Sequence, residues 1–164
     1  MNISGHTFKD HLRLLAPLFI LITAVALLRF IFFAAHAAPW LVRSISVTIT
    51  LAACVLLATV QIHVRRFGGY VNVVLATFLL VAWSQALIVM AIVISVLTGT
   101  ENVFSMPEFS FPGPDPYHLK HIGGHLTFGI GGETLIGSAM GCLLLFLLRL
   151  LVPLAETGKQ DQKP

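Results

Sequence analysis

Four long apolar segments restrict how this 164-residue sequence can fold. They cover residues 14–35, 45–64, 71–97 and 130–154, and few charged residues interrupt them. Each segment has the roughly 20 residues that a helix needs to cross a hydrocarbon core about 30 Å thick. Unpaired backbone groups are too costly in lipid for any irregular conformation, so these segments are expected to be helical. The sequence predicts an all-α, polytopic integral membrane protein, a single domain over residues 1–164 that forms a four-transmembrane-helix bundle.

The composition supports a lipid environment. Hydrophobic residues make up 57% of the chain and charged residues only 10%, whereas soluble domains carry about 25% charged residues. Too few charges remain to cover a surface that faces water. The basic residues stand singly or in pairs beside apolar segments, unlike the clustered basic face of a nucleic-acid-binding protein. We therefore expect contact with the lipid bilayer and no nucleic-acid partner.

The distribution of lysine and arginine predicts the orientation. One side of the predicted bundle carries Lys9, Arg13, Arg65, Arg66, Arg149, Lys159 and Lys163, and the other carries Arg29, Arg43 and Lys120. Basic residues favour the cytoplasmic side of a membrane. The N- and C-termini are therefore predicted to lie in the cytoplasm, in a multi-pass protein of the cell (inner) membrane.

Residues 98–129 are predicted to form a long outer loop, on the periplasmic side, between helices 3 and 4. The loop contains four prolines with three phenylalanines among them: Pro107, Pro112, Pro114, Pro116, Phe104, Phe109 and Phe111. Proline at this density opposes regular helix or sheet. The phenylalanines are expected to lie on the membrane surface or against a partner, and loops of this length are often functional.

Histidines near the end of this loop are candidate metal ligands. His118, His121 and His125 are spaced to share one face of a helix, provided that the glycine pair at 123–124 does not break it. His36, in the other outer connection, could approach them. Imidazoles with a carboxylate would suit a transition metal. Contact with the membrane interface or a partner, and pH sensing, are alternative roles for these histidines.

A haem held between transmembrane histidines is disfavoured by depth. His36 and His63 lie near opposite membrane boundaries, so these two residues cannot ligate one haem. A haem would need His36 together with a histidine of the loop.

Two charges lie inside the apolar segments at similar depth. Charged residues at membrane depth usually face the bundle interior and pair with one another. We therefore predict an intramembrane ion pair between Arg29 and Glu133. The alternative is that both side chains reach to the outer interface.

The fourth apolar segment carries a face of small residues, formed by Gly137, Ser138, Gly141 and Cys142. A Gly-x-x-x-Gly spacing lets two transmembrane helices approach closely. The face predicts a helix-packing interface, either inside the bundle or with another subunit. Gln85, near the middle of the third segment, is expected to hydrogen-bond across helices or to line a substrate path.

The sequence contains no Walker loop, dinucleotide fingerprint or HExxH motif, and no serine beside a matched base. We therefore expect a small non-catalytic subunit or accessory protein that assembles with other membrane subunits, as a homo- or hetero-oligomer. One alternative is a metal- or haem-binding subunit of a membrane redox complex. Another is a small oligomeric transporter or channel with Arg29, Gln85 and Glu133 in its path. Bound lipid is expected, and a transition metal or haem would be the cofactor of the redox alternative only.

Overall fold

The computed structural model describes residues 2–3, 5–106 and 115–152, and within them the fold is helical apart from one short strand pair. Strand β1 (Asn2–Ile3) pairs antiparallel with β2 (His6–Thr7). The helices are α1 (Phe8–Ala34), α2 (Pro39–Ser44), α3 (Val47–Val64), α4 (Tyr70–Thr98), α5 (Leu119–Gly124) and α6 (Ile130–Leu151), with a π-helical turn (His125–Gly129) between α5 and α6. The all-α prediction is confirmed.

Four helical segments of the described chain are long and apolar enough to cross a membrane. They are Phe8–Ala34, Pro39–Val64, Tyr70–Thr98 and Leu119–Leu151. Each overlaps one of the four segments that the sequence predicted. The number of spans was therefore predicted from apolar length alone.

The first helix begins earlier than its apolar segment. Thr7 caps α1: its hydroxyl accepts a hydrogen bond from Asp10 N–H (3.3 Å), and its own N–H donates to Asp10 Oδ2 (2.8 Å). This reciprocal capping satisfies two backbone N–H groups that would otherwise lack partners. The helix can therefore start at Phe8, in a polar stretch, although the apolar segment starts at residue 14.

The fourth helical segment begins at Leu119, whereas the sequence predicted residue 130. Asp115 Oδ2 accepts hydrogen bonds from the backbone N–H groups of Lys120 (3.0 Å) and His121 (3.1 Å) and so supports the start of α5. Desolvation opposes the ionisation of Asp115, but these bonds and one from Leu119 outweigh it and lower the pKa of the carboxyl group.

The first part of the connection between α4 and α5 folds back onto the bundle. Asn102 is buried, and its Nδ2 donates to Ala91 O (2.7 Å) while its Oδ1 accepts from Phe104 N–H (2.9 Å). Phe104, which was expected on the membrane surface or a partner, instead packs into the hydrophobic core. Phe109 and Phe111 lie outside the described residues.

Helices α3 and α4 form the centre of the bundle, because each contacts both α1 and α6. Leu15, Ile22, Ile62 and Leu80 are fully buried there. By contrast, only Gly141 and Leu145 of α6 are buried. Most of the surface of α6 therefore faces outward, with one glycine-rich face turned to α3 and α4.

Candidate functional site

A cavity of about 560 Å³ with polar and apolar side chains in its walls opens between the helices, at the end of the bundle that is farther from the N-terminal strands. Its walls come from α1, α3, α4, the folded segment after α4 and the helical stretch from α5 to α6. The polar and aromatic side chains that line it include Arg29, Gln85, Phe104, His121, His125 and Glu133. The structure thus brings together two of the predicted metal ligands, both predicted ion-pair residues and Gln85.

Gln85 occupies the centre of a hydrogen-bonded chain in this cavity. Its Nε2 donates to Glu133 Oε2 (2.8 Å), and its Oε1 accepts from His125 Nδ1 (2.7 Å). An amide oxygen only accepts hydrogen bonds, so His125 carries a proton on Nδ1. Gln85 is 2% exposed, and these two hydrogen bonds satisfy both ends of its buried amide.

Gly129 makes room for this chain. A Cβ atom at Gly129 would lie 2.9 Å from both Cδ and Oε1 of Gln85, closer than real Cβ contacts. Any larger residue at this position would push the amide away from Glu133 or His125. The glycine therefore positions Gln85 rather than simply interrupting the helix.

Arg29 enters the cavity from α1. Its guanidinium carbon lies 5.5 Å from the centroid of the Phe104 ring, in a cation–π contact. Its Nε atom is buried and has no hydrogen-bond partner among the described residues. Arg29 thus contacts Phe104, and Glu133 accepts from Gln85, so the Arg29–Glu133 ion pair stays a prediction.

The predicted histidine ligands are only partly brought together. The rings of His118 and His121 are 6.1 Å apart, and those of His121 and His125 are 5.0 Å apart, centroid to centroid. His36 is exposed in the connection after α1. Among the residues that the structure describes, no group of three or more His, Cys, Asp or Glu side chains is arranged to hold a metal ion.

The glycine face of α6 packs inside the bundle. A Cβ at Gly137 would lie 2.9 Å from Thr77 Cγ2 of α4, and one at Gly141 would lie 2.7 Å from Val73 Cγ1 of α4. Ser138 and Cys142 are half-buried beside these glycines. Of the two packing partners that the sequence left open, the neighbouring helices of the same chain contact this face in the structure.

An apolar crevice of about 150 Å³ lies beside this cavity, between α3 and α6. Thr48 and Glu133 line both spaces. The rest of the crevice is apolar and includes Ala52, Ile136 and Met140. Glu133 therefore lies where the cavity and the apolar crevice adjoin.

A second polar network, at the opposite end of the bundle, was not foreseen from the sequence. His11 is fully buried between Thr7 O (3.0 Å from Nδ1) and Asn72 Oδ1 (2.9 Å from Nε2). His6 stacks on Phe67 with the ring centroids 3.8 Å apart. His11 and Asn72 are 61 positions apart in the sequence, so no spacing rule could predict their contact. The stacking of His6 on Phe67 packs the N-terminal segment against the turn between α3 and α4.

Comparisons of this chain with protein-family models, curated proteins and solved structures found no match.

Proposed function

We propose that this chain is a small multi-pass protein of the cell (inner) membrane with both termini in the cytoplasm. The distribution of basic residues supports this orientation. Arg149 Nη2 donates to Gly68 O (3.2 Å), and its guanidinium lies 5.0 Å from the centroid of the Tyr70 ring. Arg149, near the end of the last span, thus contacts the turn that contains Arg65 and Arg66. Three basic residues therefore lie at the same end of the bundle, as expected for the cytoplasmic side.

In this orientation the cavity lies in the outer part of the hydrocarbon region. At about 1.5 Å per residue, a helix rises about 27 Å from Leu151 to Glu133 and about 23 Å from Tyr70 to Gln85. The hydrocarbon core is about 30 Å thick. Arg29 lies about 23 Å above Leu14 by the same measure. All three polar side chains therefore share a depth just inside the outer boundary.

The function that we propose is binding of a polar or amphipathic molecule by a non-catalytic accessory subunit. The observation that carries this proposal is the His125–Gln85–Glu133 chain, which lines one cavity together with Arg29. Ionisable groups at membrane depth are costly and are usually kept for a function. A volume of about 560 Å³ is also in the range of small-molecule sites, roughly 300–1,000 Å³.

The outward face of α6 supports the proposed role as a subunit. Leu135, Leu143 and Leu150 of this helix are each at least 60% exposed. These side chains suit lipid or the helices of another subunit. A photo-crosslinking residue at Leu135 should capture a protein of defined mass in native membranes, whereas one at Ile20, exposed on α1, should capture lipid. Lipid alone at both positions would contradict the subunit role.

Native mass spectrometry of the protein purified in a mild detergent tests ligand binding. The wild type should retain a small molecule, and Arg29→Gln and Glu133→Gln should each reduce retention by about tenfold, as expected for loss of a charge-assisted hydrogen bond. Arg43→Gln is the matched control, because Arg43 is exposed outside the cavity. Equal retention in all four proteins would refute the proposal.

Transport is a second candidate, because Arg29, Gln85 and Glu133 line the same cavity. Beyond the crevice, on the cytoplasmic side of Glu133, the close approach of Gly141 to α3 and α4 leaves no room even for a methyl group. Passage through a single copy would therefore need these helices to separate. A liposome flux assay that shows uptake with wild type and none with Glu133→Gln would favour transport over simple binding.

A further inference from the structure

The chemistry of the cavity wall narrows the class of ligand. Arg29 offers a cationic donor whose Nε lacks a partner, and His121 Nδ1 is also buried without one among the described residues. Both residues line the cavity. Buried polar atoms normally have partners. Their presence in the wall points to a molecule that supplies hydrogen-bonding groups at this place.

The cavity wall carries one side chain of each charge sign, Arg29 and Glu133. Arg29 would attract a phosphate or carboxylate group, because a guanidinium binds such anions through matched hydrogen bonds. Glu133 uses Oε2 to accept from Gln85, and its carboxylate can accept a further donor, such as an ammonium group. A purely anionic ligand would be repelled by Glu133 and a purely cationic one by Arg29. A head group with one charge of each sign complements both.

The crevice between α3 and α6 leads from this head-group position toward the centre of the membrane. Its lining residues Ala52 and Val55 follow Thr48 along α3, and Ile136 and Met140 follow Glu133 along α6. Both sets therefore lie deeper than Glu133 in the orientation proposed above. Apolar spaces of about 150 Å³ in proteins can stay dry and take up apolar molecules. The crevice has the chemistry and direction of a site for part of an acyl chain.

We infer that the cavity and crevice together bind one phospholipid of the outer leaflet whose head group carries a phosphate and an amine. The phosphate contacts Arg29, the ammonium group contacts Glu133, and an acyl chain enters the crevice beside Ala52. This inference rests on the proposed ligand-binding function and specifies its ligand. The depth of Glu133, just inside the outer boundary, fits a head group drawn slightly below its usual level.

Native mass spectrometry with three probes tests the inference. Lysophosphatidylethanolamine has the chain, the phosphate and the amine; glycerophosphoethanolamine lacks the chain; lysophosphatidylglycerol lacks the amine. The full chain in maltoside detergent should retain lysophosphatidylethanolamine about tenfold better than lysophosphatidylglycerol, the ratio for losing one charge-assisted contact. It should also retain it at least about tenfold better than glycerophosphoethanolamine, because each buried CH₂ group of the missing chain contributes about 0.8 kcal/mol. Glu133→Gln should remove the preference for the amine.

Variants in the crevice test the acyl chain separately. Ala52→Phe should lower retention of lysophosphatidylethanolamine to the level of glycerophosphoethanolamine and leave the latter unchanged. Ile136→Phe fills the crevice from α6, where the side chain is 63% exposed and a larger ring is tolerated. Ala53→Phe, at the neighbouring exposed position of α3, is the matched control and should have no effect.

The outcomes separate the inference from the proposed function. Wild-type retention of lysophosphatidylethanolamine in both Ala52→Phe and Ile136→Phe would show that no acyl chain enters the crevice, while binding in the cavity would stand. Equal retention of the two lysolipids by the wild type would refute the amine contact. If Arg29→Gln and Glu133→Gln retain every probe as the wild type does, the cavity is not the binding site and both proposals fail.

Discussion

Substituting alanine for Gly141 should destabilise the bundle, because the new methyl group has no room. A Cβ at this position would lie 2.7 Å from Val73 Cγ1 and 2.9 Å from Thr59 Oγ1. Both neighbours are 1% exposed. The hydroxyl of Thr59 also donates to Val55 O (2.9 Å), which restricts how far it can move aside. The helices must therefore separate or the side chains must leave their preferred rotamers.

The expected size follows from two opposing effects. Alanine is favoured over glycine inside a helix by about 1 kcal/mol. Overpacking a well-packed core costs about 1–3 kcal/mol. Because two helices meet Gly141 and one of its neighbours is hydrogen-bonded, we expect the upper part of that range. The net loss in the free energy of unfolding should be about 1–2 kcal/mol for Gly141→Ala.

Equilibrium unfolding in mixed micelles, with SDS as denaturant and circular dichroism as the signal, measures this loss. Gly131→Ala is the matched control, since a Cβ at Gly131 would meet nothing within 4 Å and both glycines belong to α6. The control should be as stable as the wild type or slightly more stable. If Gly141→Ala unfolds at the same SDS fraction as Gly131→Ala, α6 does not pack on α3 and α4 through its glycine face.

Three further predictions concern the orientation of the chain in the membrane, the Arg29–Glu133 ion pair and the turn between α3 and α4 that contains Gly68. In a variant that lacks the native cysteines, Tyr117→Cys should react with an impermeant thiol reagent in intact cells and Lys9→Cys only after permeabilisation; the reverse pattern would overturn the orientation. If Arg29 and Glu133 pair, each alanine variant should lose about 1–2 kcal/mol in unfolding free energy near the interface, and the double variant less than the sum; strict additivity in SDS titrations would exclude the pair. Gly68→Ala should destabilise by more than about 1 kcal/mol, because Gly68 has φ +88° and its Cβ would collide with a buried amide; a wild-type unfolding curve would contradict this.

The spans were predictable from the apolar length of the four segments, but that length did not give the ends of the helices. Apolar length identifies what crosses a membrane, and it carries no information about helical turns that extend into water. The start of α1 at Phe8 depends on the capping by Thr7 and Asp10, a local signal that is readable in the sequence. The start of α5 depends on Asp115, whose oxygen reaches across several residues to the helix N-terminus. That contact needs the folded loop and has no fixed spacing.

The members of the site were predictable singly, whereas their arrangement required the structure. Arg29 and Glu133 stand out as charges in apolar segments, and Gln85 as an amide at depth. An ion pair is the simplest way to satisfy two charges, and the structure adds a contact that this reasoning did not give, in which the neutral amide of Gln85 donates to Glu133. Which donor meets the carboxylate depends on how α4 packs against α6. The sequence of either helix alone does not contain that information.

The π-helical turn explains how glycines that were expected to weaken a helix align the site instead. In a regular α-helix, at about 100° per residue, Glu133 would lie about 120° around the axis from His121 and about 80° from His125. A π-helical turn accommodates one extra residue, which removes about 100° from each of these angles. Glu133 then lies about 20° from His121 and about 20° from His125, on opposite sides. All three side chains then face the cavity, as the structure shows. Gly129, the last residue of this turn, admits Gln85 beside the helix because it has no Cβ. The extra residue of the π-helical turn thus brings His121, His125 and Glu133 onto one face.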